Sequence, residues 1–157
     1  MKLDQFATYA HNETEIAAVK KSLGLSDSEW VEDVVEGLVD LPRLGVKQAR
    51  SVGRLLFNYT LGAEFEILTY LSGPHWHASN PLFHRRAPFI SHYGFHLDEG
   101  EPWPDQPEGS LVQEMITTSH TNPFLRSNGR QYHYRIHDTR SETGFYTKYI
   151  RRLEAVK

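Results

Sequence analysis

The sequence predicts an α+β fold, built as one domain from two strand-rich modules. Short runs rich in apolar and aromatic residues recur along the chain, which is typical of strands separated by turns. Clear helical signals occur in one segment, close to the start of the chain. The 157 residues are 39% hydrophobic and 24% charged, and they include no cysteine, so the chain is long enough for a packed core without disulfides.

The first module is predicted over residues 1–72. Alternating apolar positions at its start indicate a strand, and Asn12 followed by Glu15 is a capping-box pattern that begins a helix ending at Gly24. Two later apolar runs flank Leu61-Gly62-Ala63, which predicts a hairpin. The predicted elements are a strand at 3–10, a helix at 13–23, a segment at 30–41 that permits strand or helix, and strands at 51–59 and 64–71.

A long loop is predicted over residues 73–88, followed by a second module over 89–157. The loop is rich in proline, histidine and arginine, and its length is unusual for a plain connector, so it is predicted to be a lid or binding loop. The second module has the order strand, then loop or short helix, then three strands. Its elements are strands at 89–98, 111–119, 131–138 and 145–151, an acidic segment at 99–109 and a loop at 120–130.

Composition excludes several classes of function. Lys plus Arg is 17 and Asp plus Glu is 20, so a net charge of −3 gives no electrostatic case for nucleic acid. The chain has no apolar run long enough for a membrane helix and no signal-peptide pattern, so we expect a cytoplasmic protein with no membrane partner. Without cysteine, a metal site must use His, Gln, Asp or Glu, and nine histidines are present.

Alternation along the strands places polar groups on shared faces. Glu66 lies between apolar neighbours, so its carboxylate is either solvated or buried beside a cation, because an unpaired buried charge is very costly. His92 and His96 share a face of their strand. His133 and Arg135 share the face of the 131–138 strand that is opposite Tyr134. An exposed face of an antiparallel sheet would give the same patterns.

Four short segments resemble the vicinal oxygen chelate superfamily, which includes glyoxalase I, methylmalonyl-CoA epimerase, extradiol dioxygenases and bleomycin-resistance proteins. In that superfamily the first strand carries a His or Gln ligand, the fourth a Glu and the fifth a His. The final strand follows an Asp-rich turn and a glycine. The matching segments are MKLDQF at 1–6, FEILTY at 65–70, SHYGFHLD at 91–98 and residues 138–150.

The resemblance implies paired βαβββ modules that form a cupped mixed or antiparallel sheet around a divalent metal, with a short or irregular helix in the second module. Carried over by position, the metal ligands are Gln5, Glu66 and His92. The fourth ligand is normally a Glu, and its place falls on Lys148. An ammonium group has no lone pair to give a metal, so this departure leaves an open position, a metal-free pocket or a site completed by another residue.

The implied function is that of a glyoxalase-like lyase, isomerase or dioxygenase acting on a small oxygen-chelating substrate. The metal would be Zn, Ni, Fe, Mn or Co. Glu66 could double as a catalytic base, and His133, on the strand next to the last one, could complete the coordination or act as an acid or base. Arg135 and Lys148 could bind an anionic group of the substrate, and His96 could line the same cup.

Two other functions stay open for this sequence. A non-catalytic protein of the same fold could sequester a flat small molecule, which the aromatic content of 12% would suit. An interaction module could have lost the metal and use its loops to bind a protein. Because members of the superfamily often dimerise through their sheets, a homodimer is also predicted.

Overall fold

The fold is described here from a computed structural model, over residues 1–121 and 131–153. Strands dominate it, with one helix of ten residues near the start and one of four residues before the last strand. The strands are β1 (Lys2–Tyr9), β2 (Val31–Leu41), β3 (Val46–Asn58), β4 (Glu64–Ser72), β5 (Phe89–His96), β6 (Leu111–His120), β7 (Gln131–Asp138) and β8 (Tyr146–Leu153). The helices are α1 (Glu13–Ser22) and α2 (Arg140–Thr143).

The strands in the described residues close into a barrel in the order β1-β4-β3-β2-β6-β7-β8-β5. Each module contributes four neighbouring strands, and in each module the first strand pairs with the last in parallel. The modules meet at two antiparallel seams, β1 with β5 and β2 with β6. The predicted α+β class, the paired modules and the mixed, cupped sheet are therefore confirmed, and the sheet closes into a barrel.

The helix and strands of the first module form in the segments for which the sequence predicted them. The side chain of Asn12 accepts a hydrogen bond from the Glu15 amide at 3.0 Å, which caps α1. Ile16 of α1 packs against Leu56 and Ile67 on the outside of the barrel wall. The ambiguous segment at 30–41 is strand β2, in which buried and more exposed positions alternate.

The long connection between the modules lies across one end of the barrel. It contains two short 3₁₀ segments, Trp76–Ser79 and Pro81–Arg85. Trp76 is 1% exposed and packs in the main core with Leu41 and Tyr146. Tryptophan is large enough to fill the space between the strand ends, so this segment closes the base of the barrel.

The second module differs from the first in its connections. A loop or a short helix was predicted between the first two strands of this module, and residues 97–110, all described, contain no helix. Most of the loop predicted at 120–130 lies outside the described residues. Within the part of the chain that the structure describes, no helix is long and apolar enough to cross a membrane.

Candidate active site inside the barrel

The barrel encloses a cavity with polar and apolar walls. The volume of the cavity is about 140 Å³, which leaves room for several waters or a small ligand. Tyr59 and His96 line the end remote from Trp76, and both have substantial exposure. The polar lining includes Gln5, Asp33, Glu64, Glu66, His92, His120 and Lys148, and the ring lining includes Phe57, Tyr70, Tyr132 and Tyr134.

Gln5 is positioned by carboxylates on the neighbouring strand. Its amide nitrogen donates to Glu64 and, at 3.1 Å, to Oε2 of Glu66. These two acceptors fix the orientation of the amide, because the nitrogen must face the carboxylates and the oxygen must face away. The amide oxygen then lies 3.2 Å from Nε2 of His92. Both Gln5 and His92 are almost fully buried.

Glu66 is a buried carboxylate with one cation beside it. The residue is 1% exposed, and Nζ of Lys148 lies 3.5 Å from its Oε2. Burial raises the pKa of Glu66, and the charge of Lys148 acts in the opposite direction. The other oxygen, Oε1, is buried without a hydrogen-bond partner among the described residues. An unpartnered buried carboxylate oxygen is rare, and one beside a cavity is free to meet a ligand.

His92 belongs to a buried chain of hydrogen bonds. Its Nδ1 lies 2.8 Å from the Ser91 hydroxyl, which in turn lies 2.7 Å from Nε2 of His77. Since the Gln5 oxygen can only accept, His92 Nε2 donates to it and Nδ1 accepts from Ser91. The hydroxyl therefore accepts from His77. Burial lowers the pKa of both histidines well below the ordinary value, so both imidazoles are neutral.

Gln5, Glu66 and His92, predicted as metal ligands, have donor atoms that converge. Nε2 of His92 lies 3.2 Å from Oε1 of Gln5 and 4.0 Å from Oε1 of Glu66. Metal–ligand bonds of about 2 Å put adjacent ligand atoms roughly 3 to 4 Å apart. One of the three donors is an amide, and the described residues contain no group of three or more His, Cys, Asp or Glu that could hold a metal ion. The oxygen and imidazole donors, with the unpartnered Glu66 oxygen, fit a divalent cation.

His96 and Lys148, two of the residues predicted to bind substrate, both line the cavity. Nδ1 of His96 lies 2.7 Å from Asp4, and its side chain is 40% exposed. Lys148 is 8% exposed, and its ammonium lies 4.9 Å from the centre of the Tyr134 ring. Of these two side chains, His96 therefore lies at the exposed end of the cavity and Lys148 lies inside it.

His133 and Arg135 lie outside the barrel, which corrects the roles predicted for them in catalysis and substrate binding. Both bind Glu114, at 2.6 Å and 2.8 Å, and neither lines the cavity. Strand alternation is the reason, because Tyr132, Tyr134 and Ile136 fill the inward positions of β7. Arg135 also stacks on Trp103, 4.5 Å from the ring centre.

Sequence reasoning missed a second polar group in the cavity wall. Asp33 is fully buried, accepts from the Thr121 amide at 2.9 Å and lies 2.8 Å from Nδ1 of His120. Nε2 of His120 lies 3.0 Å from the Thr117 hydroxyl. No motif marks these residues. The strand alternation that singled out Glu66 also places Glu64 on the same face, but it could not reveal that Glu64 binds Gln5.

Comparison with known proteins finds solved structures that are similar to this chain at low sequence identity. No family model and no curated protein matches this chain. A hypothetical protein from Bacillus halodurans C-125 is 15% identical with a TM-score of 0.46, over 99% of this chain and 97% of that one. A methylmalonyl-CoA epimerase from Mycobacterium tuberculosis is 12% identical with a TM-score of 0.41, over 95% and 86%. A variant 4-hydroxymandelate synthase from Streptomyces coelicolor is 12% identical with a TM-score of 0.44, over 99% and 50%.

The fold follows from the internal topology of the chain. Each module carries its four strands in the same spatial order, and each pairs its first and last strands in parallel. The donors predicted from β1, β4 and β5 point into the space that the two modules enclose. The chain thus has the paired-module fold that its resemblance to the vicinal oxygen chelate superfamily predicted.

Proposed function

We propose that the barrel interior is the active site of an enzyme that binds a small oxygen-bearing molecule and transfers a proton through Glu66. The observation that supports this most is the unpartnered Oε1 of Glu66, buried at the wall of a cavity that has room for a ligand. A carboxylate with a raised pKa and a free oxygen suits a general base that later returns the proton. The reaction class is an isomerase or lyase acting on a C–H bond next to a carbonyl.

The neighbours of Glu66 have separate tasks in this proposal. Gln5 and Lys148 hold Oε2, which leaves Oε1 directed to the ligand. The Lys148 ammonium can donate to a ligand oxygen and stabilise the negative charge that grows on it as the proton leaves. Leu68 and Ile150 belong to the apolar lining, which limits water around the reacting atoms.

A divalent metal, if the site takes one, would be held by Gln5, Glu66 and His92. When bound, such an ion acts as a Lewis acid that polarises ligand oxygens. His92 would then have to present an unprotonated Nε2, with its proton on Nδ1 and donated to Ser91. The Ser91 hydroxyl would then donate a hydrogen bond to Nε2 of His77 instead of accepting one from it. The buried chain can adopt this second direction without any change of heavy-atom positions.

Deuterium exchange into a panel of carbonyl compounds tests the proposal. Untagged protein in D₂O would be incubated with small α-hydroxy ketones, 2-oxo acids and thioesters, with and without Mn²⁺, Ni²⁺ or Zn²⁺, and exchange at the carbon next to the carbonyl followed by NMR. We expect exchange with at least one class. Glu66→Gln should abolish it, because an amide cannot take the proton.

Glu114→Gln is the matched control, since Glu114 lies outside the barrel on β6 and does not line the cavity. This variant should retain the exchange rate of the wild type. Equal rates for the wild type and Glu66→Gln would refute the role of Glu66. If none of the compounds exchanged deuterium and none shifted the melting temperature of the protein, the proposed enzymatic function would be refuted.

A second candidate function is binding without turnover. The ring-bearing wall formed by Tyr59, Tyr70, Tyr132 and Tyr134 suits stacking on a flat ligand. That function predicts a rise in melting temperature with aromatic ligands and no deuterium exchange. A homodimer and a cytoplasmic location stay predictions. A monomeric mass by light scattering would contradict the dimer.

A further inference from the structure

We infer that Lys148 is a tethered cation that competes with a divalent metal for Glu66, and so sets how strongly the site binds metal. The inference rests on the proposed use of Gln5, Glu66 and His92 as one site. It concerns Lys148 because the fourth ligand of the superfamily, normally a Glu, falls at this position. Lys148 lines the cavity beside the metal donors, with its Nζ 3.5 Å from Oε2 of Glu66.

The pairing of three adjacent strands brings Lys148 to the metal donors. Gln5 on β1 and Lys148 on β8 are both partners of Gly94 on β5, which lies between them. A side chain at this position would run into Gln5, since a Cβ atom would lie 2.5 Å from Oε1 of Gln5. Gly94 therefore leaves the space in which the side chains from β1 and β8 can converge on Glu66.

The charges explain why the two cations compete. Lys148 lies 3.5 Å from Oε2 of Glu66, and its side chain is 10% exposed, so water screens the pair only weakly. A divalent ion on Oε1 of the same carboxylate would stand close to this ammonium and be repelled by it. The repulsion reduces metal affinity unless Lys148 moves away or a ligand oxygen lies between the two cations.

The test compares metal affinity in folded, untagged proteins by calorimetry with Mn²⁺ and Ni²⁺. Lys148→Met removes the charge and keeps an unbranched side chain, so we expect at least tenfold tighter binding than in the wild type. Lys148→Glu supplies a fourth oxygen donor and should bind more tightly still. Lys47→Met, at an exposed position on β3, is the control and should match the wild type.

Two further measurements separate the possible results. His92→Ala combined with Lys148→Met should lose the gained affinity, which would place the metal at the predicted donors. Lys148→Glu should melt at a lower temperature than the wild type without metal and recover when Ni²⁺ is added, because two buried carboxylates repel each other. Melting curves of every variant establish that it is folded before its affinity is compared.

Folded Lys148→Met and Lys148→Glu proteins that bind metal within threefold of the wild type would overturn the inference. Gained affinity that survives His92→Ala would overturn it as well, because the metal would then lie elsewhere. The proposed enzymatic function fails on a different result, the absence of deuterium exchange, which leaves the comparison of metal affinities unaffected.

Discussion

The amide oxygen of Gln5 on β1 lies 3.2 Å from Nε2 of His92 on β5, so a buried hydrogen bond joins the two modules at one seam of the barrel. The same amide binds Glu64 and Glu66 on β4 through its nitrogen. Gln5 therefore links the carboxylates of the first module to the imidazole of the second. The geometry of the candidate site depends on how these strands are held against each other.

Gly94→Ala should disturb this link directly. An added Cβ atom would lie 2.5 Å from Oε1 and 2.7 Å from Cβ of Gln5, so the glutamine must shift. We expect a loss of about 1 to 3 kcal/mol in the free energy of unfolding, as for other overpacked sites, and a loss of deuterium exchange. Urea unfolding and the NMR assay measure the two effects.

Gly53→Ala is the control for that substitution. Gly53 also lines the cavity, but a Cβ there would meet its nearest neighbour, Leu68, at 3.5 Å, an ordinary contact. We expect a smaller change in stability and retained exchange. Equal losses in the two variants would show that the close approach of Gly94 to Gln5 has no special importance.

Trp76→Ala should open the base of the barrel. Trp76 is 1% exposed and contacts Tyr146, with ring centres 4.4 Å apart. Loss of so large a buried side chain typically costs about 3 to 5 kcal/mol, which chemical denaturation would measure. Trp103→Ala should cost less, because Trp103 lies on the outer surface between Arg135 and Arg151. The reverse order of the two costs would contradict the structural role assigned to Trp76.

Acid should destabilise the protein partly through His137. Burial, aided by the charge of Arg135, lowers the pKa of His137 from 6.5 to about 4. Between these values the unfolded chain binds a proton that the folded protein rejects, so the free energy of unfolding falls as the pH drops from about 6.5 to about 4. Above pH 6.5 the contribution is constant, because His137 is neutral in both states.

His137→Gln removes this titrating group and keeps a polar partner for Ser110, whose hydroxyl lies 2.9 Å from Nδ1 of His137. Between pH 7 and pH 4, we expect the free energy of unfolding of this variant to fall by about 1 to 3 kcal/mol less than that of the wild type. Urea titrations across that range provide the measurement. His84→Gln, at an exposed position, is the control, and a slope reduced equally in both variants would refute the assignment.

Asp33→Ala should weaken the second seam. Asp33 is fully buried and accepts hydrogen bonds from Thr121, with His120 2.8 Å away. Its removal takes the carboxylate partner away from the His120 ring, whose side chain is 7% exposed, and we expect a cost of about 1 to 3 kcal/mol in the free energy of unfolding. Asp33→Asn keeps one acceptor and should cost less. Denaturation midpoints of both variants give the comparison, and unchanged midpoints would show that Asp33 does not stabilise the seam.

Local signals determined much of the fold. Asn12 caps α1 as its sequence signal predicts, and the alternation in residues 64–71 places Glu66 and Tyr70 on one face. Such patterns depend on neighbours in sequence, which makes them readable without coordinates. Segment 30–41 stayed ambiguous because a helix and a strand can both present its apolar residues, and only pairing with β3 and β6 selects the strand.

The inward or outward direction of a strand face was decided by tertiary structure. Alternation showed that His133 and Arg135 share a face, but not which face β7 turns to the cavity, and the aromatic side of that strand is the buried one. The hydrogen bonds of Gln5 to Glu64 and of His92 to His77 through Ser91 likewise join distant parts of the chain.

Residue identity alone supplies the available donors: a glutamine, a glutamate and a histidine, with a lysine at the fourth position and no cysteine. The tertiary structure decided that these side chains converge inside a closed barrel, and that Lys148 pairs with Glu66. The physical reason is that residue type fixes the chemistry of a side chain, whereas its neighbours depend on strand register. Register is set by packing and hydrogen bonding across the whole barrel.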